Sequence, residues 1–189
     1  MDEKNNSKTD QELVVLVLKD RQAFAAIVER YQPALKRYLA RLGCRDRCDQ
    51  DDILQEAFLK IYLNLNDYDL DLKFSSWIYR ITHNEAVSFF RKKNATPKPV
   101  VTEEELFIFQ NLADDTDIIE MYNKKLEAEV VRHALSELED QYRDVLILKF
   151  IEEKSYNEIS DILKMPIGTV GTLISRGKKQ LRQILQKKI

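Results

Sequence analysis

Glycine and proline are scarce in this chain, four of each in 189 residues, so tight turns are few. β-Branched residues do not gather in alternating runs, which leaves little support for strands. Cysteine and histidine are equally sparse, two of each. Cys44 and Cys48 share one polar stretch, while His83 and His133 lie far from them in sequence. A C-x-x-x-C pair without a second Cys/His pair lacks the pattern of a zinc site, so no metal and no cofactor are expected. No apolar run approaches the about 20 residues needed to span a bilayer. The opening Met1-Asp2-Glu3-Lys4-Asn5-Asn6 is polar and has no signal-peptide character. The expectation is a cytoplasmic protein without membrane insertion.

What is abundant is leucine, isoleucine, glutamate and lysine, a composition that favours helix. With 44% hydrophobic and 33% charged residues, the length suits one ordinary domain or two small ones, each with a modest core. The net charge of -2 argues mildly against a nucleic-acid partner, but it hides an asymmetry. Between Ile167 and Ile189 there are six basic residues and no acidic one; between Asn94 and Glu120 there are seven acidic residues against Lys98 alone. Charges act within a screening length of about 10 Å at moderate salt, so local patches outweigh the sum.

Along the chain, residues 1–8 read as a disordered tail. Thr9-Asp10-Gln11-Glu12 fits a capping box that opens a short helix through Leu13, Leu16 and Val17. Phe24, Ile27, Val28 and Tyr31 continue at helical spacing, and Pro33 is expected to kink or restart the helix. Gly43 to Gln50 reads as a polar connector. A strong amphipathic helix begins at Asp51, and another runs from about Ser75 to Lys92. Pro97 and Pro99 discourage helix before the acidic run Glu103-Glu104-Glu105, although the apolar Leu106 to Phe109 suit docking. Helical periodicity resumes near Ile118. The resulting plan is all-α: two small helical domains, 9–93 and 120–189, joined by an acidic linker, 94–119.

The C-terminal domain carries the sharper signal. Ser155 is a good N-cap with Glu158 three residues on, and Lys164-Met165-Pro166 breaks the pattern before a long basic helix opens at Ile167. Ile159, Leu163, Val170, Ile174 and Leu181 are spaced for two helices packed across a turn, the arrangement of a helix-turn-helix. Its second helix would present Thr169, Thr172, Ser175 and Arg176 to base edges, with Lys178, Lys179 and Arg182 toward phosphates. In the N-terminal half, Asp52, Gln55 and Glu56 share one helix face. Trp77 is read as core more readily than as a stacking surface, while Phe74 and Asn84 are the favoured base contacts, with Lys73, Arg80, Arg91, Lys92 and Lys93 beside them. The carboxylates around Asp52 meet no second cluster with a paired base, so catalysis is not expected. A stand-alone repressor or activator, a protein-interaction module without DNA affinity, and a metal-dependent nuclease are the rival readings.

Two blocks resemble one family. Ser155-Tyr156-x-Glu158-Ile159 with Met165-Pro166-Ile167-Gly168-Thr169-Val170 is similar to the C-terminal domain of bacterial extracytoplasmic-function sigma factors. Asp51-Asp52-Ile53-Leu54-Gln55-Glu56-Ala57-Phe58, followed by Phe74 to Asn84, resembles their N-terminal domain. The resemblance implies a sigma factor that binds core RNA polymerase at its clamp coiled-coil and flap and directs promoter recognition, DNA melting and initiation. It implies core binding by Asp51, Asp52, Gln55 and Glu56. It implies capture of the opened minus-ten element by Lys73, Phe74, Ser75, Ser76, Trp77, Arg80, His83, Asn84, Arg91 and Lys92. Reading of the minus-thirty-five element falls to Ser155, Tyr156, Pro166, Gly168, Thr169, Gly171, Thr172, Ser175, Arg176, Lys178 and Lys179. An anti-sigma protein is a further implied partner. Gly171 departs from the Lys or Arg common in the family, and Glu139 stands where a proline is common.

Overall fold

A computed structural model describes residues 8–69, 72–94, 97–113 and 128–187. Among the described residues the regular elements are helices. The expected resumption of helix near Ile118 and at Leu126, and most of the expected tail, lie outside them.

Local chemistry sets the helix starts. α1 (Asp10–Lys19) opens on the expected capping box: the Thr9 hydroxyl accepts from the Glu12 amide and the Glu12 carboxylate accepts from the Thr9 amide. α2 (Phe24–Leu42) continues through Pro33 as one helix, against the expected restart. Proline removes one backbone bond, but Ile27, Tyr31, Leu35, Tyr38, Leu39 and Leu42 form one buried stripe on both sides of it, and this shared packing holds the helix together across the proline. Gly43 ends α2 at φ 114°, and a Cβ there would stand 2.6 Å from the Lys98 amide nitrogen, so both conformation and space demand glycine.

α3 (Arg47–Leu63) starts earlier than the sequence suggested, because Asp46 caps it by accepting from the amides of Cys48 and Asp49. α4 (Phe74–Lys93) completes a four-helix unit around Leu13, Ile27, Leu35, Leu39, Ile61 and Ile78.

The segment after α4 is extended through Pro97 and Pro99 and is stitched to the end of α2 by Val100 N–H donating to the Ala40 carbonyl at 2.9 Å. It then forms a helix, α5 (Glu103–Ala113), inside the stretch expected to be linker. Thr102 and Glu105 make a capping box, and three glutamates in a first turn favour the positive end of the helix dipole. Leu106 and Phe109 are buried, as their apolar character suggested.

The second unit comprises α6 (Ala128–Glu137), α7 (Asp140–Phe150), α8 (Tyr156–Leu163) and α9 (Ile167–Gln186), with α5 laid against α6 and α9. α8 and α9 are the helix-turn-helix. Ser155 caps α8 through the box with Glu158, Lys164 takes the left-handed conformation at φ 52°, and Pro166 precedes α9. The two units are not held apart: α8 packs along α4 and α7 meets α2.

Candidate nucleic-acid and protein interfaces

α9 presents one polar face to solvent. Val170, Leu173, Ile174, Gly177, Leu181 and Leu185 turn inward, which leaves Thr169, Thr172, Ser175, Arg176 and Lys179 exposed on the outside. Thr172 bonds back to the Gly168 carbonyl at 2.9 Å. Nothing lies within 4 Å of a Cβ placed on Gly168, so the backbone at the start of α9 is open. A bare helix N-terminus of this kind suits phosphate oxygens. Ser155, Tyr156 and Pro166 flank the same region and are exposed, and Gly171 is half-buried beside Tyr156. Lys178 differs from the others: it leans over the Phe150 ring, 5.9 Å from its centroid.

The acidic face of α3 is also open. Asp51, Asp52, Gln55 and Glu56 are exposed, and Lys36 pairs with Asp51 at 2.5 Å. The face continues into two exposed leucines, Leu59 and Leu63, one and two turns past Glu56. Sequence reading passed over both; their signal was that they fall off the buried stripe of Ile53, Ala57 and Ile61.

The α4 residues divide. Asn84, Arg91 and Lys92 are exposed, Ser75 and Arg80 half-buried, and Lys73 exposed but bonded to Glu158 at 3.3 Å. Phe74, favoured from sequence as a stacking surface, is buried: its ring lies 5.0 Å from Tyr68, 5.8 Å from Trp77 and 5.9 Å from Tyr31. It therefore supports Trp77 rather than meeting a base. Ser76 is buried with no protein partner for its hydroxyl. His83 is buried as well; its Nδ1 lies 3.0 Å from the Tyr38 hydroxyl and its Nε2 3.7 Å from Asp144. Burial first, and Arg143 second, push its pKa down to about 4, so the ring is neutral at pH 7. Trp77, taken as core, is only 8% exposed, yet it borders a cavity of about 250 Å³ with Lys60, Asn64, Ile81, Asn84 and Glu85. Lys60 of α3 and Asn64 at its C-cap had no sequence signal, since only the fold sets them opposite Asn84. An aromatic wall with amide and ammonium groups suits a planar base carrying donors and acceptors. Among the described residues, no group of three or more His, Cys, Asp and Glu side chains converges to hold a metal, and no helix is long and apolar enough to cross a membrane.

Comparison with known proteins gives the family and the fold. Residues 27–96 match the family model for sigma-70 region 2, and residues 128–181 that for sigma-70 region 4. The chain is 35% identical over 171 residues to the ECF RNA polymerase sigma factor SigW of Bacillus subtilis, covering 88% of this chain and 91% of that one. It is 30% identical to the ECF RNA polymerase sigma-E factor of Haemophilus influenzae, covering 94% and 96%. Among solved structures, CnrH in complex with the cytosolic domain of CnrY superposes with a TM-score of 0.68 at 22% identity, over 95% of this chain and 99% of that one. RpoE of Bartonella quintana, solved with the anti-sigma factor NepR, gives 0.59 at 21% identity, over 86% and 96%. These two likenesses establish the shared fold.

Proposed function

We propose a division of labour among three surfaces, starting from the premise that this chain belongs to the extracytoplasmic-function sigma factors. Membership fixes the activity: the chain binds core RNA polymerase and directs promoter recognition and transcription initiation. Within it, Asp51, Asp52, Gln55 and Glu56, extended by Leu59 and Leu63, hold the polymerase clamp coiled-coil through charge and apolar contact. The outer face of α9 reads the minus-thirty-five duplex: Thr169, Thr172, Ser175 and Arg176 reach base edges, and Lys179 with the open backbone at Gly168 takes phosphates. α4 captures the minus-ten strand and so stabilises melted DNA. Asn84, Lys60 and Asn64 line the base cavity, while Lys73, Arg80, Arg91 and Lys92 follow the backbone; Phe74 and Trp77 shape the cavity from behind. The chain performs no catalysis of its own and works in the cytoplasm. Because the RpoE neighbour was solved with an anti-sigma factor, we include a separate inhibitory protein among the partners.

The single observation that carries this reading is the presence, in one chain, of an open acidic face on α3 and an open polar face on α9 that stay exposed together. The test is transcription in vitro with core polymerase. Wild-type protein should confer start-site selection. Asp52→Lys combined with Glu56→Lys should abolish co-purification with core while leaving helicity intact. Normal association of that variant removes the α3 assignment.

A further inference from the structure

A cleft between the loop after α2, the extended segment before α5 and one side of α6 shares no residue with the polymerase and DNA surfaces. Its volume of about 670 Å³ falls in the range of about 300–1,000 Å³ usual for small-ligand sites. Arg45 comes from the loop, Lys98 from the segment, and Arg132 with His133 from α6. The chain has more acidic than basic residues, 32 against 30, yet no carboxylate is among the described residues that line this cleft. A concave wall of one charge sign focuses its field on the space it encloses.

The wall is built into the fold. The Lys98 amide donates to the Gly43 carbonyl at 3.3 Å, and Arg45 Nε donates to the Lys98 carbonyl at 3.1 Å. Both backbone groups of Lys98 are thus held by the α2–α3 loop, and the Arg45 guanidinium is fixed beside them. Neither that guanidinium nor the Lys98 ammonium has a carboxylate partner among the described residues. Two uncompensated cations held at one wall repel each other, and an anion between them relieves the repulsion.

α6 supplies the facing wall. Val130, His133 and Ser136 follow at three-residue spacing, with Arg132 one turn before Ser136, so they share a side of the helix. Glu137 pairs with His133 Nδ1 at 3.0 Å, outside the lining. The Ser136 hydroxyl donates to the His133 carbonyl at 2.8 Å, which leaves its oxygen as an acceptor.

These groups narrow the ligand. Arginine and lysine charges on separate elements match several linked phosphates better than a single one. No aromatic ring is among the described lining residues, so a nucleic-acid strand finds no stacking platform there. Pro99 and Val130 give an apolar patch suited to a sugar face.

We propose that this cleft binds a small oligophosphate, a short chain of linked phosphate groups that is either inorganic or carried by a nucleoside. Arg45 and Lys98 hold the chain from one wall and Arg132 from the other.

Titration calorimetry on the full chain, without divalent metal and at about 50 mM salt to limit screening, compares orthophosphate, inorganic tripolyphosphate and ATP. Tripolyphosphate and ATP should bind saturably at one site, about tenfold or more tighter than orthophosphate. Lys98→Gln changes an exposed side chain and leaves both backbone bonds in place; it should weaken the two ligands about tenfold, and adding Arg45→Gln should weaken them further. Arg176→Gln with Lys179→Gln removes two charges from α9 and should leave binding unchanged. ATP binding more tightly than tripolyphosphate would assign the site to nucleotides, and equal affinities would assign it to the phosphate chain alone. No saturable binding to folded wild type, or orthophosphate binding as tightly as tripolyphosphate, overturns the proposal. So does binding that survives Lys98→Gln with Arg45→Gln and is lost in the α9 variant, which would put the anion on the DNA-reading helix.

Discussion

Arg176 stands on the exposed side of α9, one turn beyond Thr172 and well clear of the helix's buried stripe. Arginine is the side chain best shaped to meet guanine bidentately in the major groove. Arg176→Ala should therefore weaken binding at one position of the minus-thirty-five element by about 1–3 kcal/mol, and substitution of that base pair should add nothing further in the variant. A uniform loss on every sequence would make Arg176 a phosphate contact. Lys178 offers the contrast: it leans on Phe150, so Lys178→Ala should cost packing with little change in sequence preference. The cysteines separate just as clearly. Cys44 is buried and its thiol is pushed up to about 11, first by burial and then by Asp49 and Asp46, whereas Cys48 is exposed. Iodoacetamide at pH 8 should modify Cys48 in native protein and reach Cys44 only on unfolding, a result read by peptide mass spectrometry.

At the scale of elements, the helix-turn-helix contains two glycines with opposite roles. A Cβ on Gly171 meets only the Tyr156 ring edge at 3.7 Å, an ordinary contact, so this glycine spends helix propensity without a packing return. Gly171→Ala should stabilise by about 1 kcal/mol, raising Tm by about 2–4 °C for a chain of this size. A Cβ on Gly177 comes within 3.2 Å of the Tyr142 Cβ and 3.4 Å of Leu146, where α9 and α7 touch. Gly177→Leu has no room and should lower Tm by overpacking, at a cost of about 1–3 kcal/mol. The same distinction between local and long-range causes explains what could be read from sequence. The boxes at Thr9 and Ser155 were legible because a cap is decided within four residues. The box at Thr102 has the same form, but Pro97 and Pro99 before it and the run Glu103-Glu104-Glu105 give the segment the composition of a linker. Pro33 does not restart the helix inside α2, because a buried stripe spanning both sides outweighs one lost backbone bond. The withdrawal of Phe74 into an aromatic cluster and the meeting of Lys60 and Asn64 with Asn84 depend on which helices become neighbours, and no periodicity carries that.

For the whole molecule, two buried groups where α4 and α7 meet make stability depend on pH in two opposing ways. Burial pushes Asp144 up to about 7, with Arg143 lowering it and Asp140 adding to the rise. A group whose pKa is higher in the folded chain is held protonated there, so its contribution to stability is lost as pH rises from the ordinary carboxylate value of 3.8 through about 7. His83 works the other way: its pKa falls from 6.5 to about 4, so its contribution to stability is lost as pH drops through that interval. The other charged or titratable groups facing the pair are Tyr38 from α2, Arg91 on α4, and Asp140 and Arg143 from α7. Tyr38 is pushed well above its usual range by burial, and the arginines keep their charge, so none of these three switches near neutrality. The two contributions oppose each other in the wild type. Asp144→Asn removes the carboxyl's contribution, and Tm relative to wild type should fall as the solution is acidified from about pH 7.5 to about 5. His83→Gln removes the imidazole's contribution, and relative Tm should rise over the same range. Opposite slopes in the two variants tie stability to the protonation of this buried pair; parallel slopes would mean that other groups set the pH dependence.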